Sequence, residues 1–454
     1  MLFASVSFLI LFVPIFFFIY FFLPAKYQLG WLLVGNLFFY SWFGLSFTLF
    51  FLIIHLINFY LGRLLEKNRV YLKRKRQIFI GILIFQVFIY YISYYHMAWF
   101  GSSNFIPLGI GIWFIQSMTY FILVLKDQVK AAKTFFPFLL YQTMFPFVTL
   151  GPVLDYPSFL EQLQTRHPTL ESLSQGFVRV LLGFIKLVAG SAVMYAIYQA
   201  IFTTSAISML TSWLGILSFL LFAYYLLVGY SDVALGLARM LGMTYPENFH
   251  SPMLSTSMHA FSQRFMITIH HFFYQYGLGL IPACAKTGLK FIIYFGSFAL
   301  LGLWYAPTWR FLIAGILLGS FILLEKVCTP YLEKQSSSIK HLIFLGEFLL
   351  LLLVLALPNW SYLSSLIGLS KGWIDQQFFL IWDASKWFFL VGILGFFPIF
   401  EKVKHFFQTK SFIWRFSYQF VTLLFFFLCL FLSFELLMRG ITIEYPIFGK
   451  WGVV

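Results

Sequence analysis

The side chains equipped for chemistry gather between Gly229 and Trp309. That stretch holds Gly229-Tyr230-Ser231-Asp232, Pro246-Glu247-Asn248-Phe249, the run from His259 to Tyr276, and Trp304-Tyr305-Ala306-Pro307. Most of the remaining chain consists of long apolar runs. Ionisable groups at membrane depth are costly and are usually retained for a function. Histidine is the notable presence, because an imidazole titrates near neutrality and serves as a base or a proton relay.

Each cluster admits two readings. Arg239 follows Asp232 by seven residues, about two helical turns, so the two share a face. They form either a buried pair that aligns helices or the polar lining of a cavity. Glu247 and Asn248 follow Pro246 in a short polar loop closed by Ser251-Pro252, the composition of a solvated, capped turn. His259, Arg264, His270, His271, Tyr274, Gln275 and Tyr276 read as one helical stretch, with Met266, His270 and Tyr274 on one face. Adjacent His270 and His271 point apart, one toward a cavity and the other toward the headgroups. Trp304 to Trp309 has the composition of an interfacial aromatic belt. Asp232, Asn248, Arg264, Gln275 and Tyr305 are expected to line one cavity, since polar groups distant in sequence need partners in lipid.

The elements that must position these residues are membrane helices. Of 454 residues, 61% are hydrophobic and 10% charged, against about 25% charged in soluble domains. The expected architecture is an all-α polytopic membrane bundle of about 11 to 13 helices, forming a single domain over 1–454. Phe261–Leu280 is among the expected spans, and further helices follow over 378–437. Phe135–Leu150 carries Pro137 and Pro146 and reads as broken or re-entrant, which requires shielding of the backbone. The first apolar run, Leu2–Leu23, lacks a basic leader and a cleavage site and reads as a retained span.

The net charge of +15 follows from topology and not from a nucleic-acid partner. Arg63, Lys67, Arg69, Lys73, Arg74, Lys75 and Arg76 cluster in one short loop, and Lys126, Lys130 and Lys133 in the next. Both loops are therefore expected in the cytoplasm. Counting spans outward places both termini outside an inner, cytoplasmic membrane. Cys284, Cys328 and Cys429 are isolated, with no disulfide framework or metal-ligand spacing, so no bound metal is expected.

Several stretches in consistent order resemble the membrane-bound O-acyltransferase (MBOAT) family, in its bacterial branch that acylates alginate-type polysaccharides and D-alanylates teichoic acids. They are Pro107-Leu108-Gly109 with Gln116-Ser117-Met118-Thr119-Tyr120, then Phe145-Pro146 with Gly151-Pro152, then Gly229 to Arg239, then Pro246-Glu247-Asn248-Phe249. The resemblance covers about residues 29–357. It implies an MBOAT-type helical bundle with re-entrant segments around a central tunnel. It also implies acyl transfer from a cytoplasmic thioester donor, acyl-CoA or an acyl-carrier thioester, to a hydroxyl of an envelope polysaccharide. No cofactor is held permanently. The implied partners are membrane lipids, an acyl-carrier protein inside and an envelope transferase outside.

The departures fall on the chemistry. The family's first histidine corresponds to Met266, and the one taken as catalytic corresponds to Tyr305 in Gly302-Leu303-Trp304-Tyr305-Ala306. Leu123 stands where an acidic residue is expected. A phenol with a reference pKa of about 10 is a poor base at neutral pH. The sequence thus implies reduced or lost activity, or recruitment of His270 or His271 as the base, with Tyr305 a further candidate in the site. The alternative is a non-catalytic acyl-binding, lipid-binding or scaffolding component. Asp232, Glu247, Asn248, Arg264, Met266, Gln275 and Trp304 are the candidate tunnel-lining residues.

Overall fold

A computed structural model describes residues 5, 7–42, 44–95, 109–147, 150–204, 206–280, 287–397, 406 and 412–438. The termini expected outside the membrane, Pro107-Leu108 and Cys284 lie outside the described residues, while Cys328 and Cys429 carry free thiols. The described chain is helical, with a lone bridge between Phe249 and Phe265 as its β pairing. Eight of its helices are long and apolar enough to cross a membrane, and three shorter apolar helices accompany them. The protein is an all-α, multi-pass membrane protein.

The first seven helices are α1 (Val13–Phe22), α2 (Ala25–Ser41), α3 (Leu45–Lys67), α4 (Leu72–Tyr95), α5 (Ile110–Leu125), α6 (Phe135–Thr143) and α7 (Tyr156–Thr165). Aromatic packing holds much of this half together: Phe12, Phe16 and Phe39 surround the Phe145 ring at centroid distances of 5.3–5.9 Å. α6 is nine residues long and ends before Pro146. The two basic loops meet, because buried Lys75 places its Nζ 2.8 Å from Asp127 Oδ2. They therefore lie on one side of the protein.

The centre is an antiparallel pair. α8 (Leu170–Ile185) continues through a π-helical turn, Lys186–Ala192, into α9 (Val193–Phe202), and α10 (Met209–Met240) returns beside it. Glycines at a seven-residue spacing set the contact. Gly176 and Gly183 on α8 face Gly236 and Gly229 on α10, and a Cβ on Gly236 would lie 2.7 Å from the Gly176 carbonyl oxygen. Small residues allow membrane helices to approach to backbone contact, where dispersion replaces the missing hydrophobic force. The glycines of the Gly229–Arg239 segment thus bring Asp232, which lies between them, against α8.

The expected span Phe261–Leu280 is not a single helix. It is broken into α11 (Met258–Ser262), α12 (Ile267–Phe272), a π turn over Phe273–Gly277 and a 3-10 turn over Leu278–Leu280. The break falls at Met266, whose φ of 48° is left-handed, a conformation that disfavours side chains with a Cβ. Met266 has no side-chain acceptor with which to cap α12. Asn248 does so from a distant loop: its carbonyl accepts from Ile267 N at 3.0 Å, and its Oδ1 accepts from Thr268 N at 3.3 Å and Thr268 Oγ1 at 2.7 Å. The polar Pro246–Phe249 loop is therefore solvent-exposed at Pro246 and Glu247 but a buried support at Asn248.

The remaining helices are α13 (Thr287–Tyr305), α14 (Trp309–Leu332), α15 (Ser337–Ala356), α16 (Leu363–Leu366), α17 (Gln376–Leu394) and α18 (Phe412–Met438). α13 and α14 meet at Gly302 and Gly315, where an added Cβ would strike the Phe311 and Phe298 carbonyls respectively.

Candidate active site

Two cavities flank α10. The first has a volume of about 160 Å³ and lies among α10, the 253–270 segment, α13, α14 and α15. Its walls are almost entirely hydrocarbon, including Phe219, Leu227, Phe261, Leu301, Leu318 and Leu352. His270 and Tyr305 supply polar groups at its edge.

The hydrogen bonds of His270 fix its tautomer. Nδ1 lies 2.7 Å from the Ser262 carbonyl oxygen, which can only accept, so Nδ1 carries the proton. In the neutral ring, Nε2 is then an acceptor, and Tyr305 Oη donates to it across 3.4 Å. The supporting carbonyl is itself held in place. Ser262 ends α11, whose N-terminal amides of Met258 and His259 donate to the Glu325 carboxylate, a favourable charge at a helix start. Backbone capping at both α11 and α12 thus sets the imidazole with an unshared Nε2 lone pair toward the phenol and the cavity. A neutral His held this way can accept a proton at Nε2.

The second cavity has a volume of about 850 Å³ and lies among α8, α10, the 247–251 loop, α17 and α18. Its polar end is a four-charge cluster. Arg179 donates to Asp232 Oδ1 from Nε at 3.1 Å and Nη2 at 2.9 Å, and reaches both Glu247 oxygens at 2.6 and 2.7 Å. Lys186 Nζ lies 2.5 Å from Asp232 Oδ2. Asp232 is therefore paired across to α8 and not along its own helix to Arg239, which instead bonds Gln175. Both arginine contacts run between α10 and α8 because the glycine contact brings these helices so close.

The candidate residues do not share one cavity. His270 and Tyr305 belong to the first; Asp232 and Glu247 belong to the second. Asn248 and Met266 are buried supports of α12. Trp304 is buried as a brace, donating from Nε1 to the Gly111 carbonyl at 2.9 Å. Arg264 is half-buried, His271 and Gln275 are exposed, and all three line neither cavity. The sequence did not point to Arg179 and Lys186. Their signal was present: two cations seven residues apart within an apolar run, a spacing that puts them on one face. Among the described residues, no group of three His, Cys, Asp or Glu side chains is placed to hold a metal ion.

No family model matches the sequence. Curated relatives do. A protein of Azotobacter vinelandii named a probable alginate O-acetylase is 28% identical over 371 residues, covering 78% of this chain and 74% of that one. A peptidoglycan O-acetyltransferase of Helicobacter pylori is 21% identical over 369 residues, covering 70% and 69%. A teichoic acid D-alanyltransferase of Bacillus subtilis is 23% identical over 231 residues, covering 48% and 56%. All three names describe transfer of an acyl group to an envelope polymer. With the ordered motifs and the helical bundle, these likenesses indicate the membrane-bound O-acyltransferase family.

Proposed function

We propose that this protein is the membrane component of envelope-polysaccharide O-acylation, with His270 in place of the family's usual base. The observation that carries this reading is the contact between Tyr305 Oη and His270 Nε2. The base has moved by one hydrogen bond from the position that Tyr305 now fills. His270 Nε2 takes the acceptor hydroxyl proton, directly or through the Tyr305 hydroxyl. The acceptor oxygen bonds the thioester carbonyl carbon, the C–S bond breaks, and the thiolate leaves and regains a proton. Transfer is slower than with the usual arrangement, because the displaced base meets the reacting atoms less directly and positioning governs such rates.

The cavity also speaks to the acyl group. An apolar protein cavity of roughly 150 Å³ holds a benzene ring, so about 160 Å³ takes a short apolar acyl group. Hydrocarbon walls disfavour a charged group without a partner, so acetyl or another short neutral acyl group fits better than D-alanyl. The donor is acyl-CoA or an acyl-carrier thioester presented from the cytoplasm, where the basic loops lie. An acyl-carrier protein inside and a transferase outside complete the pathway, and both termini face outward from the inner membrane. Labelling a cysteine placed at Val70 from outside intact cells would contradict this topology.

The test is acyl transfer from acetyl thioester to polysaccharide by purified protein. The wild type should turn over, Tyr305→Phe should report whether the phenol relays the proton, and exposed His271→Ala should be near wild type. A wild type inert toward every thioester, yet carrying a co-purified acyl lipid, would favour the binding or scaffolding role instead.

A further inference from the structure

We infer that the larger cavity is a binding site for a membrane phospholipid, with its phosphate held at Lys186 and Ser231. This inference does not depend on the acyl-transfer reading. The cavity joins a charged end to an apolar wall of Trp387, Phe396 and Leu428, supplied by α17 and α18. That shape matches an amphiphile.

The depth is right for a headgroup. α10 has 32 residues, about 48 Å of helix, so centred on an about 30 Å hydrocarbon core it overhangs by about 9 Å at each end. Asp232 precedes the end of α10 by eight residues, about 12 Å. The cluster therefore lies close to the level where phospholipid phosphates and ester groups meet the acyl region.

The polar end also has unspent hydrogen-bonding capacity. Ser231 is 2% exposed and lines the cavity, and its hydroxyl has no hydrogen-bond partner among the described residues. A buried polar group left unpaired costs free energy. Lys186 gives one of its three N–H bonds to Asp232. The four charges of the cluster cancel, so the site suits a zwitterionic headgroup: phosphate to Lys186 and Ser231, ammonium to the half-exposed Glu247 carboxylate. At about 850 Å³ the cavity takes the headgroup and the first tail carbons, since typical small-molecule sites span about 300–1,000 Å³. Trp387 and Leu428, which are 68% and 54% exposed, carry the apolar wall out to the lipid-facing surface.

The experiment is native mass spectrometry of delipidated protein after addition of dioleoylphosphatidylethanolamine or dioleoylglycerol. The wild type should retain one phosphatidylethanolamine and no diacylglycerol. Lys186→Met and Ser231→Ala should each weaken retention by about tenfold, the effect of one lost hydrogen bond to a charged group. Ala189→Trp, which fills the cavity without touching the charges, should abolish retention while the unfolding temperature stays at or above that of the wild type. Equal retention of diacylglycerol, unchanged retention in Ala189→Trp, or displacement by glycerophosphoethanolamine alone would overturn the proposal.

Discussion

The two cavities share a wall at Tyr224 yet differ in how they treat charge. The larger one contains two cations and two carboxylates, each satisfied by an opposite partner. The smaller one has hydrocarbon walls and presents one histidine nitrogen that accepts from a phenol. The larger cavity is lined from the segments that carry the family resemblance, Gly229–Arg239 and Pro246–Phe249; the smaller is lined by His270 and Tyr305. The difference teaches that the recognisable motifs here serve assembly. Their glycines fix the α8–α10 contact, their acids lock the two helices, and their asparagine caps the helix that carries His270.

The largest effect expected is at the frame itself. Gly236→Leu forces a side chain into the Gly176 backbone, and backbone yields less readily than side chains. It should cost more than about 3 kcal/mol, the upper range for over-packing, and remove both cavities together. Thermal unfolding of the purified variant checks this; a wild-type transition would mean that the glycine contact does not hold the helices.

Removing charge should separate the cavities. Asp232→Ala leaves Arg179 and Lys186 without their shared partner. Breaking a fully buried pair costs about 3–5 kcal/mol. Because the two cations keep 26% and 35% exposure, a loss of about 2–3 kcal/mol is expected. Transfer by the protein that remains folded should be close to wild type. A rate loss beyond the loss of folded protein would join the two sites functionally.

Asn248→Ala should do the reverse. Loss of its cap on α12 should lower stability by about 1–2 kcal/mol, while activity falls further because His270 loses its placement. Equal, small losses in both would make Asn248 a support without a role in positioning.

The smallest effect concerns the wall of the larger cavity. Asp375 starts α17 and ties it to the start of α10, accepting from Thr211 Oγ1 at 2.6 Å, Phe378 N at 3.0 Å and Ser208 N at 3.2 Å. Burial disfavours its charge, but the Thr211, Phe378 and Ser208 hydrogen bonds prevail and hold its carboxyl below the usual range. Its stabilisation is therefore present above the ordinary carboxylate pKa of about 4 and is lost as pH falls through the depressed folded value. Asp375→Asn should cost about 1 kcal/mol at neutral pH and flatten the acid limb of the stability curve. An unchanged acid limb would remove this tie from the account.

Much of the fold was legible in the sequence, because lipid permits few choices: apolar length gave the helices, and basic loops gave a shared side. The reading failed where local pattern met a distant partner. His259 to Tyr276 has helical periodicity, yet the chain breaks at Met266 because Asn248, far away in sequence, supplies the cap. Asp232 and Arg239 share a helical face, but the nearer partners are on α8, and no spacing within one helix reports that. The His270–Tyr305 contact joins residues 35 apart. The sequence offered both as candidates, but not the carbonyl of Ser262 that orients the ring.

The central claim, that His270 Nε2 is the base, is tested most directly by single-turnover acyl transfer in three proteins: wild type, His270→Ala, and His270→Ala/Tyr305→His. Loss of a general base should slow His270→Ala by about 10²–10⁴-fold, and restoring a histidine at position 305 should recover at least part of that rate. A His270→Ala protein as fast as the wild type would contradict the account.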